Sequence, residues 1–183
     1  LPSLLMIGDS TVRNGRDDGQ GLGALGQWGW GHVIAREFDT ARLNVVNRAI
    51  GGLSSRTYRS GGHWERTRAF VKRGDLVLIQ FGHNDGGPIN DTSRARGTLR
   101  GTGPEREEID NLLTGRRETV FTYGAYLRDY IAELRALGAT PVLCSPVPRK
   151  RFDAQGRAAR GSGSHAGWAA AVARETGCAF IDL

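Results

Sequence analysis

Five short apolar runs, each bounded by turn residues and separated by helix-patterned stretches, constrain this chain more than any other feature. They are Leu4–Ile7, Asn44–Asn47, Asp75–Phe81, Thr140–Cys144 and Ala179–Leu183. Continuous apolar runs of this length suit strands buried on both faces, as in a parallel sheet. Parallel neighbours need crossover connections, and helix candidates fill the gaps. These are Gly31–Phe38, Trp64–Lys72, Glu118–Leu137 and a last one from about Ser164, an N-cap residue type, to Glu175. In the third, Val120, Tyr123, Leu127, Tyr130, Ile131 and Leu134 keep 3–4 spacing, and Gly138 supplies the stop. The expected architecture is an α/β fold, a three-layer α/β/α sandwich around a central parallel five-stranded sheet. At 183 residues it forms one domain, spanning residues 1–183.

Composition narrows the function classes. No apolar run approaches the ~20 residues needed to span a bilayer, so a membrane-spanning role is not expected. The net charge of +6 is nearly all arginine, Lys72 and Lys150 being the only lysines. The arginines are scattered and many alternate with acids, as in Arg106-Glu107-Glu108 and Arg116-Arg117-Glu118. That pattern reads as a solvated surface rather than a nucleic-acid interface, and it would tolerate an acidic substrate. Cys144 and Cys178 each lie in or beside an apolar run and make neither a disulfide framework nor a zinc site, so buried free thiols are expected. Leu1-Pro2-Ser3 has no basic leader, as in a secreted or periplasmic protein whose leader has been removed, and that compartment is the expectation.

In an open parallel sheet, ligands bind at the carboxyl ends of the strands. Here the first three strands run into Gly8-Asp9-Ser10-Thr11, Ala49-Ile50-Gly51-Gly52 and Gly82-His83-Asn84-Asp85. Ser10 follows a strand-ending glycine, where a helical turn would expose its hydroxyl and aim backbone N–H groups at it. An ordinary helix-capping serine would look the same. Gly52 can present its N–H in a tight turn, and Asn84 offers a neutral amide donor, although Asn-Asp-Gly is also a turn sequence in its own right. The order and spacing of the three carry the signal. The polar stretch Gly86–Gly115 fits no regular element and would lie over this edge as a functional loop.

Gly8-Asp9-Ser10-Thr11, Asn47–Gly52 with Ser54-Ser55-Arg56-Thr57, and Gln80–Asp85 resemble the first three conserved blocks of SGNH (GDSL-type) hydrolases, which share a flavodoxin-like sheet. The long loop, Glu118-Thr119-Val120…Tyr123 and Ser145–Arg149 are similar to the rhamnogalacturonan acetylesterase branch. The resemblance implies a carbohydrate acetylesterase in which Ser10 attacks the acetyl carbonyl. It also implies that the N–H groups of Ser10 and Gly52 and the Asn84 amide hold the oxyanion, while Asp9 supports the Ser10 loop. The implied substrate is an O-acetylated pectic polysaccharide, and no metal or organic cofactor is implied.

The same resemblance implies an Asp-x-x-His motif that supplies the base and its orienting acid. The chain ends at Ile181-Asp182-Leu183, and Asp182 has no histidine three residues on, so a C-terminally truncated chain is the expectation. An apolar patch left on the fifth strand would follow. His83 is expected to point away from the site because Asn84 points in, and His32, His63 and His165 read as surface or capping residues. The alternative function is a catalytically inactive carbohydrate-binding fragment that keeps Trp28, Trp30 and Trp64 as sugar-stacking surfaces, although core packing is the commoner use of tryptophan. Gly21–Gly26 matches Gly-x-Gly-x-x-Gly but follows a polar run rather than a strand, so a dinucleotide site is not expected. The lipase-type Gly-x-Ser-x-Gly elbow is absent, since Val12 follows Thr11.

Overall fold

A computed structural model describes residues 1–15, 28–149, 152–158 and 163–183. The Gly21–Gly26 motif lies outside these. Five strands form one parallel sheet: β1 (Ser3–Gly8), β2 (Asn44–Asn47), β3 (Leu76–Gln80), β6 (Thr140–Cys144) and β7 (Ala179–Ile181), in the order β2-β1-β3-β6-β7. Strand side chains alternate between faces, and here both faces are apolar. Leu5 and Ile7 of β1 join Val77 and Ile79 of β3 in the larger core, and Leu4 and Met6 join Leu78 and Val142 in the smaller.

Four helices, α1 (Ser55–Ser60), α2 (His63–Arg68), α3 (Tyr123–Ala136) and α4 (Gly163–Thr176), supply the larger core with Tyr58, Trp64, Leu127, Tyr130, Ala169 and Val172. The opposite face is covered by the Trp30–Glu37 segment, from which Trp30 and Ile34 pack on Leu4 and Met6. The sandwich with a central parallel sheet is therefore the fold. Cys144 and Cys178 are buried and free. Among the described residues no helix is long and apolar enough to cross a membrane. Ile181 on the edge strand β7 is exposed.

Several elements differ from the sequence expectation. Gly31–Phe38 forms two 3-10 turns, Trp30–His32 and Ile34–Glu37, rather than an α-helix. Adjacent β-branched Val33 and Ile34 disfavour a helix. Gly31 also lies so close to the loop after β1 that a Cβ there would come within 2.3 Å of the Val12 carbonyl oxygen. The larger correction concerns Glu118–Leu137. Its first part is a strand, β5 (Arg117–Phe121), paired antiparallel with β4 (Arg106–Asp110), so the Gly86–Gly115 stretch is not wholly irregular. The run Thr119-Val120-Phe121 has strand-forming side chains. Helix α3 begins only after Thr122, whose hydroxyl accepts the Ala125 N–H at 3.1 Å as an N-cap.

Glu118 has a partner that the sequence order conceals. The Arg56 side chain, 1% exposed, donates through Nε and Nη2 to the two Glu118 carboxylate oxygens, both at 2.7 Å. Its Nη1 donates to the carbonyls of Ile89 and Gly97, and Asn111 donates to Glu118 Oε2 at 2.8 Å. One guanidinium thus joins α1, the long loop and β5. Burial pushes the Glu118 carboxyl up, but the Arg56 and Asn111 hydrogen bonds and the Arg56 charge outweigh it and hold it below the usual range. The stabilisation is therefore present above the ordinary glutamate pKa and is lost as pH falls through the depressed folded value.

Glu118→Ala should destabilise the protein by about 3–5 kcal/mol at neutral pH, because it leaves a buried guanidinium without its carboxylate. The readout is the urea midpoint, with the slope unchanged. Arg117→Ala, which removes an exposed pair with Glu108 and Asp110, should leave that midpoint in place. Equal midpoints for Glu118→Ala and the wild type would refute the assignment.

Candidate active site

The loops that follow β2, β1 and β3 leave neighbouring strands at the same edge of the sheet, because those strands are adjacent and parallel. Gly8 is needed at the end of β1, where a Cβ would lie 2.5 Å from the Gln80 carbonyl oxygen. After it the chain makes a helical turn, with Val12 and Arg13 N–H donating to the Asp9 carbonyl. The buried Asp9 carboxylate accepts from Thr11 N at 2.9 Å and Thr11 Oγ1 at 2.8 Å through Oδ1. A second chain of bonds ties the loop to β3. Trp30 Nε1 donates to Gln80 Oε1 at 2.7 Å, and Gln80 Nε2 donates to Thr11 Oγ1 at 2.5 Å. Ser10 lies between these anchors, half-buried, and lines a cavity of about 450 Å³ with Thr11, Trp28, Trp30 and Val147.

Gly52 has φ +83°, a conformation that disfavours any Cβ, and its carbonyl accepts from Arg96 Nη1 at 2.9 Å. The Asn84 side chain is buried and its Nδ2 donates to the Leu53 carbonyl at 2.8 Å. One amide hydrogen therefore joins the third loop to the second, and the other is left for a further acceptor. The structure brings Ser10, Gly52 and Asn84 to one edge of the sheet.

Next to Asn84, Asp85 is fully buried. Its Oδ1 accepts from Ser55 N at 3.0 Å and from the Ser55 hydroxyl, while Oδ2 has no hydrogen-bond partner. Burial pushes this carboxyl up to about 7; the Ser55 hydrogen bonds oppose the rise and the charge of Asp9 adds to it. His83 Nε2 is likewise buried and unpartnered, and burial lowers its pKa, with the Asp9 charge opposing and Arg149 adding. His165 corrects an expectation: it is buried, not a surface or capping residue. Its ring stands edge-on to Tyr123 and Trp168, each at 4.9 Å, and burial, with the Arg100 and His83 charges, pushes its pKa down to about 4. Among the described residues, no histidine is hydrogen-bonded to Ser10, and no group of three His, Cys, Asp or Glu could hold a metal ion.

The tryptophans divide. Trp64 is fully buried in the core, packed edge-on to Tyr130, so it offers no sugar surface. Trp28 is 45% exposed at the Ser10 cavity. Sequence reasoning missed Arg96 and the Asp85–Ser55 contact. Arg96 looks like any surface arginine, and Asp85 reads as part of an Asn-Asp-Gly turn.

The family model described as GDSL-like lipase/acylhydrolase matches residues 6–183. The chain belongs to this family. A rhamnogalacturonan acetylesterase of Emericella nidulans is 29% identical over 187 residues, covering 100% of this chain and 69% of that protein. A probable rhamnogalacturonan acetylesterase, YesY of Bacillus subtilis, is 31% identical, covering 82% of this chain and 56% of the relative. The chain thus spans about two thirds of the first and a little over half of the second. The crystal structure of YxiM from Bacillus subtilis superposes with a TM-score of 0.72 at 26% identity, covering 99% of this chain and 43% of that one.

Asp85→Asn tests the buried carboxyl. A raised folded-state pKa means that the acid's contribution to stability is full below its ordinary 3.8 and is lost as pH rises through about 7. The stability of Asp85→Asn relative to wild type should therefore climb between about pH 4 and pH 7 and then level off. A difference that stays flat from pH 4 to pH 9 in denaturant titrations would refute this.

Proposed function

We propose that the protein is a serine esterase that removes O-acetyl groups from a pectic, rhamnogalacturonan-type polysaccharide through an acyl-enzyme on Ser10. The observation that carries the reading is the meeting of the Ser10, Gly52 and Asn84 loops at one sheet edge, in a chain of an acylhydrolase family. The substrate class rests on relatives named rhamnogalacturonan acetylesterases.

In this reading the Ser10 hydroxyl oxygen attacks the acetyl carbonyl and its proton passes to a base. The carbonyl oxygen becomes an oxyanion held by the N–H groups of Ser10 and Gly52 and by the free hydrogen of the Asn84 amide. Collapse expels the sugar alkoxide, which takes the proton, and water then releases acetate from Ser10 by the reverse sequence. Resemblance to SGNH hydrolases assigns the base to the histidine of an Asp-x-x-His motif, without which a serine hydroxyl is a poor nucleophile. A polymeric substrate favours action outside the cytoplasm, in a secreted or periplasmic setting.

Acetate release from acetylated rhamnogalacturonan by the full-length protein should fall by about 10³-fold or more in Ser10→Ala. In Asn84→Ala, kcat should fall by about 10²–10³, the cost of one oxyanion donor. Undiminished release by Ser10→Ala sinks the acyl-enzyme. Polymer binding without any Ser10-dependent release favours a binding module instead. Deacetylation of acetylated xylan but not of rhamnogalacturonan sinks the pectic substrate alone.

A further inference from the structure

A second cavity, of about 590 Å³, opens beside the Gly52 turn. Its walls come from four places: the Gly51–Leu53 turn, the α1–α2 corner (Thr57, Ser60, Gly61 and His63), the Ser93–Arg96 part of the long loop, and the end of the β4–β5 hairpin from Asn111 to Glu118. Its size is that of a small-molecule site, for which ~300–1,000 Å³ is typical. Its charge is one-sided. Arg94, Arg96, Arg116 and Arg117 face it, and the one acid on its walls, Glu118, is already bound to Arg56.

The four arginines are not equivalent. Arg117 is answered by Glu108 and Asp110 at 3.6 and 3.7 Å, and Arg96 gives one donor to the Gly52 carbonyl. The guanidinium groups of Arg94 and Arg116 have no hydrogen-bond or ion-pair partner among the described residues. Burial, and after it the neighbouring Arg94 charge, lowers the Arg96 pKa, so these two cations repel each other across the cavity wall. The backbone that carries Arg94 and Arg96 is tied to Asp91. Asp91 Oδ1 accepts the N–H groups of Ser93, Arg94 and Ala95 at 2.8, 2.6 and 2.9 Å, and buried Ala95 takes φ 40°. Leu53 and Leu113 add apolar wall beside the charges, suited to the C–H face of a sugar ring.

We propose that this cavity is a subsite for the carboxylate of an acidic sugar unit, gripped by Arg94 and Arg116 with Arg96 behind them. The inference rests on the reading of the Gly52 edge as an esterase site for an acidic polysaccharide. Gly52 lines the cavity and also supplies the proposed oxyanion N–H, so a chain bound here would present a neighbouring sugar's acetyl group to Ser10. Arginine suits this task, because its planar fork meets a carboxylate with two parallel hydrogen bonds. The contact supplies specificity for a charged polymer over a neutral one with the same acetyl ester.

The test is calorimetric binding to the full-length protein of deacetylated oligosaccharides, which cannot turn over. The probes are a galacturonate-bearing rhamnogalacturonan oligosaccharide, its carboxyl-reduced counterpart and a glucuronate-bearing xylo-oligosaccharide. Wild type should prefer the acidic rhamnogalacturonan form to the reduced one by about tenfold at low salt, as expected for a charge-assisted contact, with the preference shrinking as salt rises. The ratio should approach one in the double variant Arg94→Gln/Arg116→Gln and invert in Arg94→Glu/Arg116→Glu. An equal affinity for both forms in wild type, or a ratio kept in the glutamine variant, overturns the subsite. Arginine-dependent binding of the glucuronate probe alone keeps the subsite and overturns the pectic substrate. Arginine-independent binding of rhamnogalacturonan, with deacetylation intact, does the reverse.

Discussion

The buried guanidinium of Arg56 ties the Gly52 side of the sheet to the long loop and the β4–β5 hairpin. It sits in α1, directly after the Gly52 turn, and reaches two carbonyls of the long loop and the carboxylate of β5. An ion pair this far from water gains little net stability over a well-packed apolar pair, since desolvation offsets the Coulomb attraction. Its consequence is geometric. Four directed hydrogen bonds from one planar group fix the loop that carries Arg94 and Arg96 against the turn that carries Gly52. A lysine ammonium could not reproduce the two parallel bonds to Glu118 and the two to carbonyls at once.

The parts of the fold legible in the sequence were those governed by short-range pattern. The runs at Asn44–Asn47 and Thr140–Cys144 match β2 and β6, and the 3–4 spacing from Tyr123 onward matches α3. Where the pattern was ambiguous, the tertiary partner decided. Val120 fits the apolar stripe of a helix as well as a strand, and only the pairing with β4, with Glu118 drawn to Arg56, makes Arg117–Phe121 extended. β4 is a hairpin neighbour close in sequence, but Arg56 lies 62 residues from Glu118, outside any local window. His165 was misjudged because histidine is read as a surface residue unless a partner is seen, and its partners are the rings of Tyr123 and Trp168.

The candidate site was easier to read, because it is built from strand ends rather than from distant pairs. A strand order of β2-β1-β3 makes the three loops neighbours whatever their sequences. The sequence contributes the small residues that let them close. Gly8 runs against the Gln80 carbonyl, and Gly82, at φ +137°, runs against Pro146 Cγ, where a Cβ would come within 2.6 Å. What stayed hidden was the layer behind: the Trp30–Gln80–Thr11–Asp9 chain of hydrogen bonds, and the Asp85 carboxyl on Ser55. These groups lie on separate elements, and each has an ordinary structural use when taken alone.

The distribution of charge around this edge follows from what the proposed chemistry requires. Of the groups assigned to the oxyanion, two are backbone N–H donors and one is the Asn84 amide, and none carries a formal charge. A cation there would bind the negative oxyanion more strongly, but it would hold the acetate product as well, because the product carries the same charge in the ground state. Catalysis gains only from interactions that strengthen in the transition state. Charge recognition therefore works better away from the reacting ester, where a carboxylate is present throughout the reaction and its binding need not change. Arg96 stands at the boundary between the two regions, giving a hydrogen bond to the Gly52 carbonyl while its charge faces the second cavity. A single side chain can thereby position the turn that supplies a neutral donor and contribute to the positive potential that draws in an acidic chain.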